Sequence, residues 1–540
     1  MNLSQKAPAK PAKFSWDALL KTSLLVFAFL VITKLFNFYK KILISKLFGV
    51  TWVADAFFAA SFLPYYLAIF FEGVIYLGFL PHFSRLKEEN EETAKRFAGE
   101  AFFLLLSVTL SLALAGWFTA PWLVRQMVPG FSPAEMSLTC QLFRILIGVV
   151  VFISLGFFFQ SLNSYFNHHI FAVSSGIVDT VVMILVTLVS WKIWGIHGAA
   201  LGAVCGALAV FIFQAVSLNL RHKILPKRLL PLKTMRNGKL FTFLVSISFI
   251  WIFQQVPLVI LNRFGSGMWE GTISALTISQ TLTTVPMALV SQTVLLTIFP
   301  SLTKQAVSLT GESPQNTFYH TLQASFFVLI PTGFLLSAMS RPVAALFFSG
   351  SGASVEGVRR IANALSCFGW ATFALYADLF MRQSLMAVQK AKPAIFLSLV
   401  RAILTYLFSY FLSSWWDYQG LALSFSLALA ANFFIFFPFF FRRTSLNMEW
   451  KKLFGYVFRL LFAASPILAL AGLLNLWSVG QWMKFPSSLK VTAMLAGTLS
   501  GMSGYFLLLY LLKVQQLHSV FESLKRLWAQ KNWFLADTSN

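Results

Sequence analysis

Stretches of about 20 mainly apolar residues, the length that a helix needs to cross a bilayer, recur along the whole 540-residue chain. Within lipid, a helix satisfies its own backbone hydrogen-bonding groups, so such runs favour helices. Only 11% of the residues are charged, whereas soluble domains carry about 25%. The pattern predicts an all-α protein that crosses a membrane many times, and it argues against a soluble enzyme.

The apolar runs predict fourteen transmembrane helices. They lie near residues 20–38, 54–80, 101–124, 138–161, 170–191, 198–220, 240–262, 271–300, 318–340, 362–381, 394–414, 419–441, 456–477 and 491–512. The first, second and tenth runs are interrupted by charges and are the least regular of the fourteen.

The basic residues predict an orientation. With fourteen spans, both termini share one side, and 27 of the 42 lysines and arginines fall on that side. Cytoplasmic loops of membrane proteins are rich in Lys and Arg. Both termini are therefore expected in the cytoplasm, and the net charge of +24 indicates membrane topology rather than a nucleic-acid partner.

An internal repeat divides the chain. Leu80 to Arg85 resembles Phe299 to Lys304, and Gln160 to Leu162 recurs at Gln383 to Leu385, at offsets of 219 and 223 residues. The repeated unit has six spans, so both copies enter the membrane in the same sense, as in parallel-repeat transporters. The predicted organisation is a six-helix lobe at 1–220, a basic cytoplasmic linker at 221–239, a second six-helix lobe at 240–443, helices 13 and 14 at 444–513 and an amphipathic cytoplasmic tail at 514–540.

Charged residues inside the spans are the candidate functional residues, because a charge is costly in hydrocarbon. The predicted substrate-binding residues are Lys34, Lys40, Asp55, Glu72, Arg144 and Arg401. Lys34, Asp55 and Arg144 are expected to line a cavity, and a cationic cavity suits a phosphate-bearing substrate. The alternative interpretation is that some of these charges only pair between helices or reach the membrane surface. Asp179 and Asp378 are further acidic residues within spans.

Sequence motifs give no indication of catalysis. The phosphate-binding motif GxxxxGK[ST] is absent, which argues against ATP hydrolysis by this chain. Its three cysteines form no CxxC pair, and no His or Cys cluster has the spacing of metal ligands. We expect a protein that is not an enzyme and that has neither cofactor nor metal.

Several segments resemble the MurJ/MviN family of lipid II flippases, in the multidrug/oligosaccharidyl-lipid/polysaccharide exporter superfamily. The second-span signature comprises Phe48-Gly49-Val50, Ala54-Asp55-Ala56-Phe57-Phe58, Leu63-Pro64 and Glu72-Gly73. Further matches are Phe299 to Lys304, Ile330-Pro331, and Gln419 to Ser424 with Asn432.

The resemblance implies export of an undecaprenyl-pyrophosphate-linked saccharide, the peptidoglycan precursor lipid II, across the bacterial cytoplasmic (inner) membrane by alternating access. It also implies contacts with membrane lipids and the cell-wall synthesis machinery. The family's first-span arginines fall on Lys34 and Lys40, its second-span Asp on Asp55 and its Glu on Glu72.

Departures from the family pattern leave the cargo open. The arginine expected after Leu63-Pro64 is missing from Tyr65 to Ala68, the Asp-Arg pair of the eighth span falls on Gln280-Thr281, and a first-span acid falls on Lys41. Besides a lipid II flippase, the sequence allows an exporter of another polyprenyl-linked glycan or a non-transporting scaffold of the same fold. The basic excess argues against a drug-like cation as cargo. No sequence feature separates coupling to the membrane potential from coupling to an ion.

Overall fold

The computed structural model describes residues 16–222, 253–297, 314–349, 353–387, 391–438 and 449–514. These residues are helical almost throughout. The linker predicted at 221–239 and the tail predicted at 514–540 lie outside the described residues, apart from 221–222 and Val514.

The first half of the chain contains six helical spans. They are α1 (Trp16–Phe48), α2 (Trp52–Val74, continued by the π-helical Ile75–Phe79 and by Leu80–Glu89), α3 (Glu91–Met127), α4 (Pro133–Leu146 and Gly148–Tyr165), α5 (His169–Trp194) and α6 (Ile196–His222). Local sequence sets some of the starts. Asn90 caps α3 by accepting hydrogen bonds from two backbone amides, and Ser132 forms a capping box with Glu135 at the start of α4.

The second half contains eight spans within the described residues. They are α7 (253–265), α8 (Thr272–Thr297), α9 (Pro314–Ala338 and Ser340–Phe348), α10 (Val355–Gly369 and Thr372–Ala387), α11 and α12 (together Ala391–Ala431, divided by a kink at Trp416 and Asp417, then Asn432–Phe436), α13 (Trp450–Ala463 and Ser465–Leu474) and α14 (Ser487–Leu511). A short connecting helix, Val479–Lys484, lies between α13 and α14.

Fourteen spans agree with the number predicted from the apolar runs. Ten described helices are long and apolar enough to cross a membrane, and α10, whose two parts meet at 55°, raises the number to eleven. The other three arise from α1, from α7 and from the division of α11 from α12 at the kink. The charge-interrupted tenth run is the bent helix.

The backbone repeats at an offset of 222 residues, which confirms the predicted six-helix repeat. Ser132 and Ser354 occupy equivalent positions, and each caps the first part of a broken helix, α4 or α10. At the α5–α6 corner, Gly195 has φ 55° and ψ −134°, and at the α11–α12 corner Asp417 has φ 51° and ψ −135°. Two unusual backbone conformations at equivalent positions indicate that both halves follow the same path.

Each half has its own apolar core. In the first half, buried side chains of α2, α4 and α6 pack around Phe143 and Leu146. In the second half, the rings of Phe326, Phe373 and Phe433 meet edge to face between α9, α10 and α12. The space between these two cores is consequently available for polar side chains.

Candidate functional site

A cavity of about 550 Å³ lies between the two halves. Its walls come from α1, α2 and α5 of the first half and from α7 and α8 of the second. The charged residues of the lining are Lys34, Lys40, Lys41 and Asp179. With three ammonium groups against one carboxylate, the lining has a net positive charge, as the sequence predicted.

The three lysines lie on α1, but their surroundings differ. The ammonium of Lys40 is 2.7 Å from a carboxylate oxygen of Asp179 on α5 and 5.3 Å from the ring centroid of Tyr65. The ammonium of Lys41 donates a 2.9 Å hydrogen bond to the hydroxyl of Thr281 on α8. Lys40 thus has a charged partner within its own half, whereas Lys41 reaches across the cavity to the other half.

Asp55 holds the two halves together outside the cavity lining. Its carboxylate accepts hydrogen bonds from the backbone amides of Gly271 and Ser274, both at 2.7 Å, and from the Ser274 hydroxyl at 2.5 Å. Because these amides lie at the start of α8, the carboxylate also faces the positive end of the helix dipole. Asp55 is 3% exposed. The expectation that Asp55 lines the cavity is wrong for this conformation, and its predicted pairing with a lysine is not formed.

Further contacts extend this seam. The backbone amide of Gly130 donates to the Ser266 hydroxyl at 3.1 Å, and the Arg263 guanidinium donates to the Gln126 carbonyl at 2.8 Å. At Gly130 a Cβ would lie 2.5 Å from the Cα of Gly267, so the backbones can approach this closely only without a side chain. Together with the Asp55 bonds, these contacts close the seam between the halves on the side of the α1–α2, α3–α4 and α7–α8 loops.

Two other predicted residues, Glu72 and Arg144, are placed differently from the cavity lysines. Glu72, on α2, lies within electrostatic reach of Lys34 but is not part of the lining. Arg144 lies on the first part of α4, where its guanidinium donates a 3.4 Å hydrogen bond to the Trp117 carbonyl. The expectation that Arg144 lines the cavity is therefore wrong in this conformation.

Arg401 belongs to a buried polar cluster in the second half. Its guanidinium is 2.5 Å from a carboxylate oxygen of Asp378 and also donates to the Gln254 carbonyl, which ties α11 to α10 and α7. Arg382 lies 2.5 Å from the same carboxylate, and Asn432 donates to it at 3.1 Å. Arg382 was expected in a cytoplasmic loop, but it is buried in α10, because the helix continues beyond the apolar run.

Sequence reasoning named Asp179 without finding its partner and treated Lys41 only as a departure from the family pattern. The Lys40–Asp179 pair spans 139 residues and the Lys41–Thr281 pair 240. Both pairs join separate helices, so no spacing rule along one helix could find them. The described residues contain no group of three or more His, Cys, Asp or Glu side chains that could hold a metal ion.

Comparison with known proteins follows from this geometry. The family model described as "Lipid II flippase MurJ" matches residues 44–515, most of the chain. The chain belongs to the MurJ family. The family resemblance predicted from the second-span signature is therefore confirmed.

Relatives within the MurJ family are distant in sequence. A lipid II flippase MurJ of Burkholderia cenocepacia is 22% identical over 428 residues, which cover 78% of this chain and 83% of that protein. A probable lipid II flippase MurJ of Buchnera aphidicola subsp. Schizaphis graminum is 23% identical over 452 residues, covering 82% and 87%.

Solved structures agree with the fold. A lipid II flippase MurJ in an inward closed conformation superposes with a TM-score of 0.73 at 16% identity, covering 91% of this chain and 99% of that one. An inward-facing multidrug resistance MATE transporter superposes with a TM-score of 0.61 at 13% identity, covering 74% and 92%. The chain thus has the fold of a multi-pass membrane transporter.

Proposed function

We propose that this chain moves lipid II, the lipid-linked peptidoglycan precursor, outward across the bacterial cytoplasmic membrane by alternating access. The observation that carries the proposal is the lysine-lined cavity between the halves, in a chain that matches the MurJ family over most of its length. A pyrophosphate bears negative charge at neutral pH, and ammonium groups in a confined cavity attract it strongly because the dielectric screening is low.

In this proposal, Lys34, Lys40 and Lys41 attract the pyrophosphate. The carboxylate of Asp179 neutralises part of that charge until the pyrophosphate competes for Lys40. Lys offers a compact charge without the bidentate fork of Arg, so the site recognises charge more than the orientation of the phosphate. Glu72, Arg144 and Arg401 remain predicted substrate contacts for other conformations of the cycle.

Alternating access requires the closed seam to open. The Asp55 bonds to Gly271 and Ser274 hold one side of the cavity closed in this conformation. With both termini cytoplasmic, as the basic loops predict, that closed side faces outward and the cargo enters from the cytoplasmic leaflet. The proposed moving units are the lobes 1–220 and 240–443, joined by the linker 221–239, with 444–513 and the tail 514–540 attached to the second lobe.

A second candidate is export of a different polyprenyl-linked glycan. Thr281 and Lys41, which depart from the family pattern, lie against each other in the cavity wall. Two altered positions in one contact favour a change at the binding site over scattered drift. The pyrophosphate would be retained and the sugar would differ.

Growth complementation distinguishes the two candidates. The chain is expressed in bacterial cells depleted of their own lipid II flippase, and membrane insertion is verified by immunoblotting of the membrane fraction. Restored growth is the result expected for lipid II transport. Failure to restore growth despite insertion would contradict the lipid II proposal and favour another glycan.

A further inference from the structure

A second polar cavity lies apart from the central one. It is a groove of about 520 Å³ between α9, α13 and α14, lined by Tyr319 of α9, by Lys451, Lys452 and Arg459 of α13, and by Lys513 after α14. We call it the basic groove.

Positive charge in the basic groove is largely unneutralised. Lys452 pairs with Glu449 at 2.7 Å, but both side chains are 69% exposed, and such a surface pair is weak. Within the described ranges, Lys451, Arg459 and Lys513 have no acidic partner within ion-pair distance. Arg459 is nine residues beyond the start of α13, which at about 1.5 Å per residue places it about 13 Å along the helix. A cation at that depth of a span requires an anion or water.

The groove also provides room beside Arg459. A Cβ added to Gly455, one turn before Arg459, would meet nothing within 4 Å. Tyr456 is buried, and its hydroxyl donates a 3.1 Å hydrogen bond to the Gln323 carbonyl, which fixes α13 against α9. The space is therefore bounded by rigidly packed helices.

An apolar surface continues from the basic groove. Gly455, Phe458, Arg459 and Phe462 share one face of α13, since they follow the i, i+3, i+4, i+7 spacing. The side chains of Phe458 and Phe462 are 58% and 62% exposed. A cationic pocket that continues into an exposed aromatic strip fits an amphiphile with an anionic head and apolar chains.

We propose that the basic groove binds an anionic phospholipid of the surrounding leaflet. Arg459 and Lys513 bind the phosphodiester, and the acyl chains lie along Phe458 and Phe462. The site is separate from the cavity at Lys34, so this inference does not depend on the identity of the cargo. Bound lipid would attach α13 and α14 to the leaflet at the end of the bundle where α9 begins.

Native mass spectrometry of the full chain, equilibrated in mixed micelles with phosphatidylglycerol or phosphatidylcholine, tests the inference. The wild-type chain is expected to retain phosphatidylglycerol preferentially. The variant Arg459→Gln/Lys513→Gln should lose about fivefold in that preference for each cation removed. Gly455→Leu, which fills the groove and keeps every charge, should also reduce retention, and it remains informative if the double variant folds poorly.

Two controls match these variants. Lys484→Gln removes an exposed cation at the end of the connecting helix, and Lys34→Gln removes one from the central cavity; both should leave the preference unchanged. Equal retention by the wild type and the Arg459→Gln/Lys513→Gln variant would overturn the inference. So would a wild-type chain without preference, the result expected if residues 515–540 fill the groove. Displacement of phosphatidylglycerol by a polyprenyl diphosphate would assign the groove to the cargo instead.

Discussion

Lys40 has less free charge to offer an anion than its neighbours on α1, because Asp179 already lies 2.7 Å from its ammonium. The side chains of the two residues are each 11% exposed, so solvent screens their attraction only partly. A buried carboxylate beside an anion-binding cation weakens the bound state, but it also keeps the empty cavity from carrying three uncompensated charges. Asp179 is therefore expected to limit affinity in favour of release.

The substitution Asp179→Asn tests this role. Without the carboxylate, Lys40 is free for the pyrophosphate, and we expect roughly tenfold tighter binding of a short-chain polyprenyl diphosphate, about 1.4 kcal/mol, together with slower transport. Titration of the purified chain gives the affinity, and a reconstituted transport assay gives the rate. Glu356→Gln, a carboxylate on α10 paired with Arg359, serves as the control. Unchanged affinity in Asp179→Asn would contradict the role.

At the scale of elements, corners and breaks shape the helices around the cavity. The α11–α12 corner requires φ 51° at Asp417, where the first half uses Gly195. This backbone region is largely reserved for glycine, and a residue with a Cβ pays about 1–3 kcal/mol for it. The second half therefore contains a strained corner that the first half avoids.

Replacing Asp417 with Gly should relieve this strain. We expect a rise of about 1–2 °C in the apparent unfolding temperature in detergent, since the entropy of the added glycine offsets part of the gain. Gly195→Ala should lower that temperature, and a Cβ there meets nothing within 4 Å, so only the backbone conformation is affected. Light scattering during a thermal ramp measures both. A lower unfolding temperature for Asp417→Gly would contradict the prediction.

Hydrophobic patterning predicted the number of spans and the repeat, because the bilayer imposes length and polarity on every helix. It did not predict the breaks at Ile147 and at 370–371, where polar and apolar residues continue without a proline or other local signal. Arg382 was misplaced for a related reason: it follows the apolar run but remains in the helix and pairs with a buried acid. Patterning identifies where lipid contacts end, whereas packing between helices decides where helices end.

At the scale of the whole molecule, contacts between the halves were the least predictable from sequence. Candidate charges could be named because burial makes them costly, but their partners depend on how two separately packed lobes approach each other. Asp55 illustrates the point, since its partners at Gly271 and Ser274 are backbone amides more than 200 residues away. A backbone amide leaves no signature in residue type.

The Asp55 bonds make a prediction about the conformational equilibrium of the whole molecule. Hydrogen bonds to a charged group contribute about 1.5–3 kcal/mol, so Asp55→Asn should shift the population by at least about tenfold toward states with this side open. Spin labels at exposed Pro129 and Trp269, in a background without native cysteines, would report longer distances by electron–electron double resonance. Ser274→Ala should give a smaller shift in the same direction, because both amide hydrogen bonds remain.

The same equilibrium sets the consequence for transport. If the Asp55 bonds close the outer side during cargo entry, Asp55→Asn should bind a polyprenyl diphosphate less well from the cytoplasmic side, since a smaller fraction of molecules is competent. Its spin-label distances should also respond less to added cargo. Unchanged distances in Asp55→Asn would mean that the Gly130–Gly267 contact alone holds the seam, and Gly130→Ala, whose Cβ cannot fit there, should then open it.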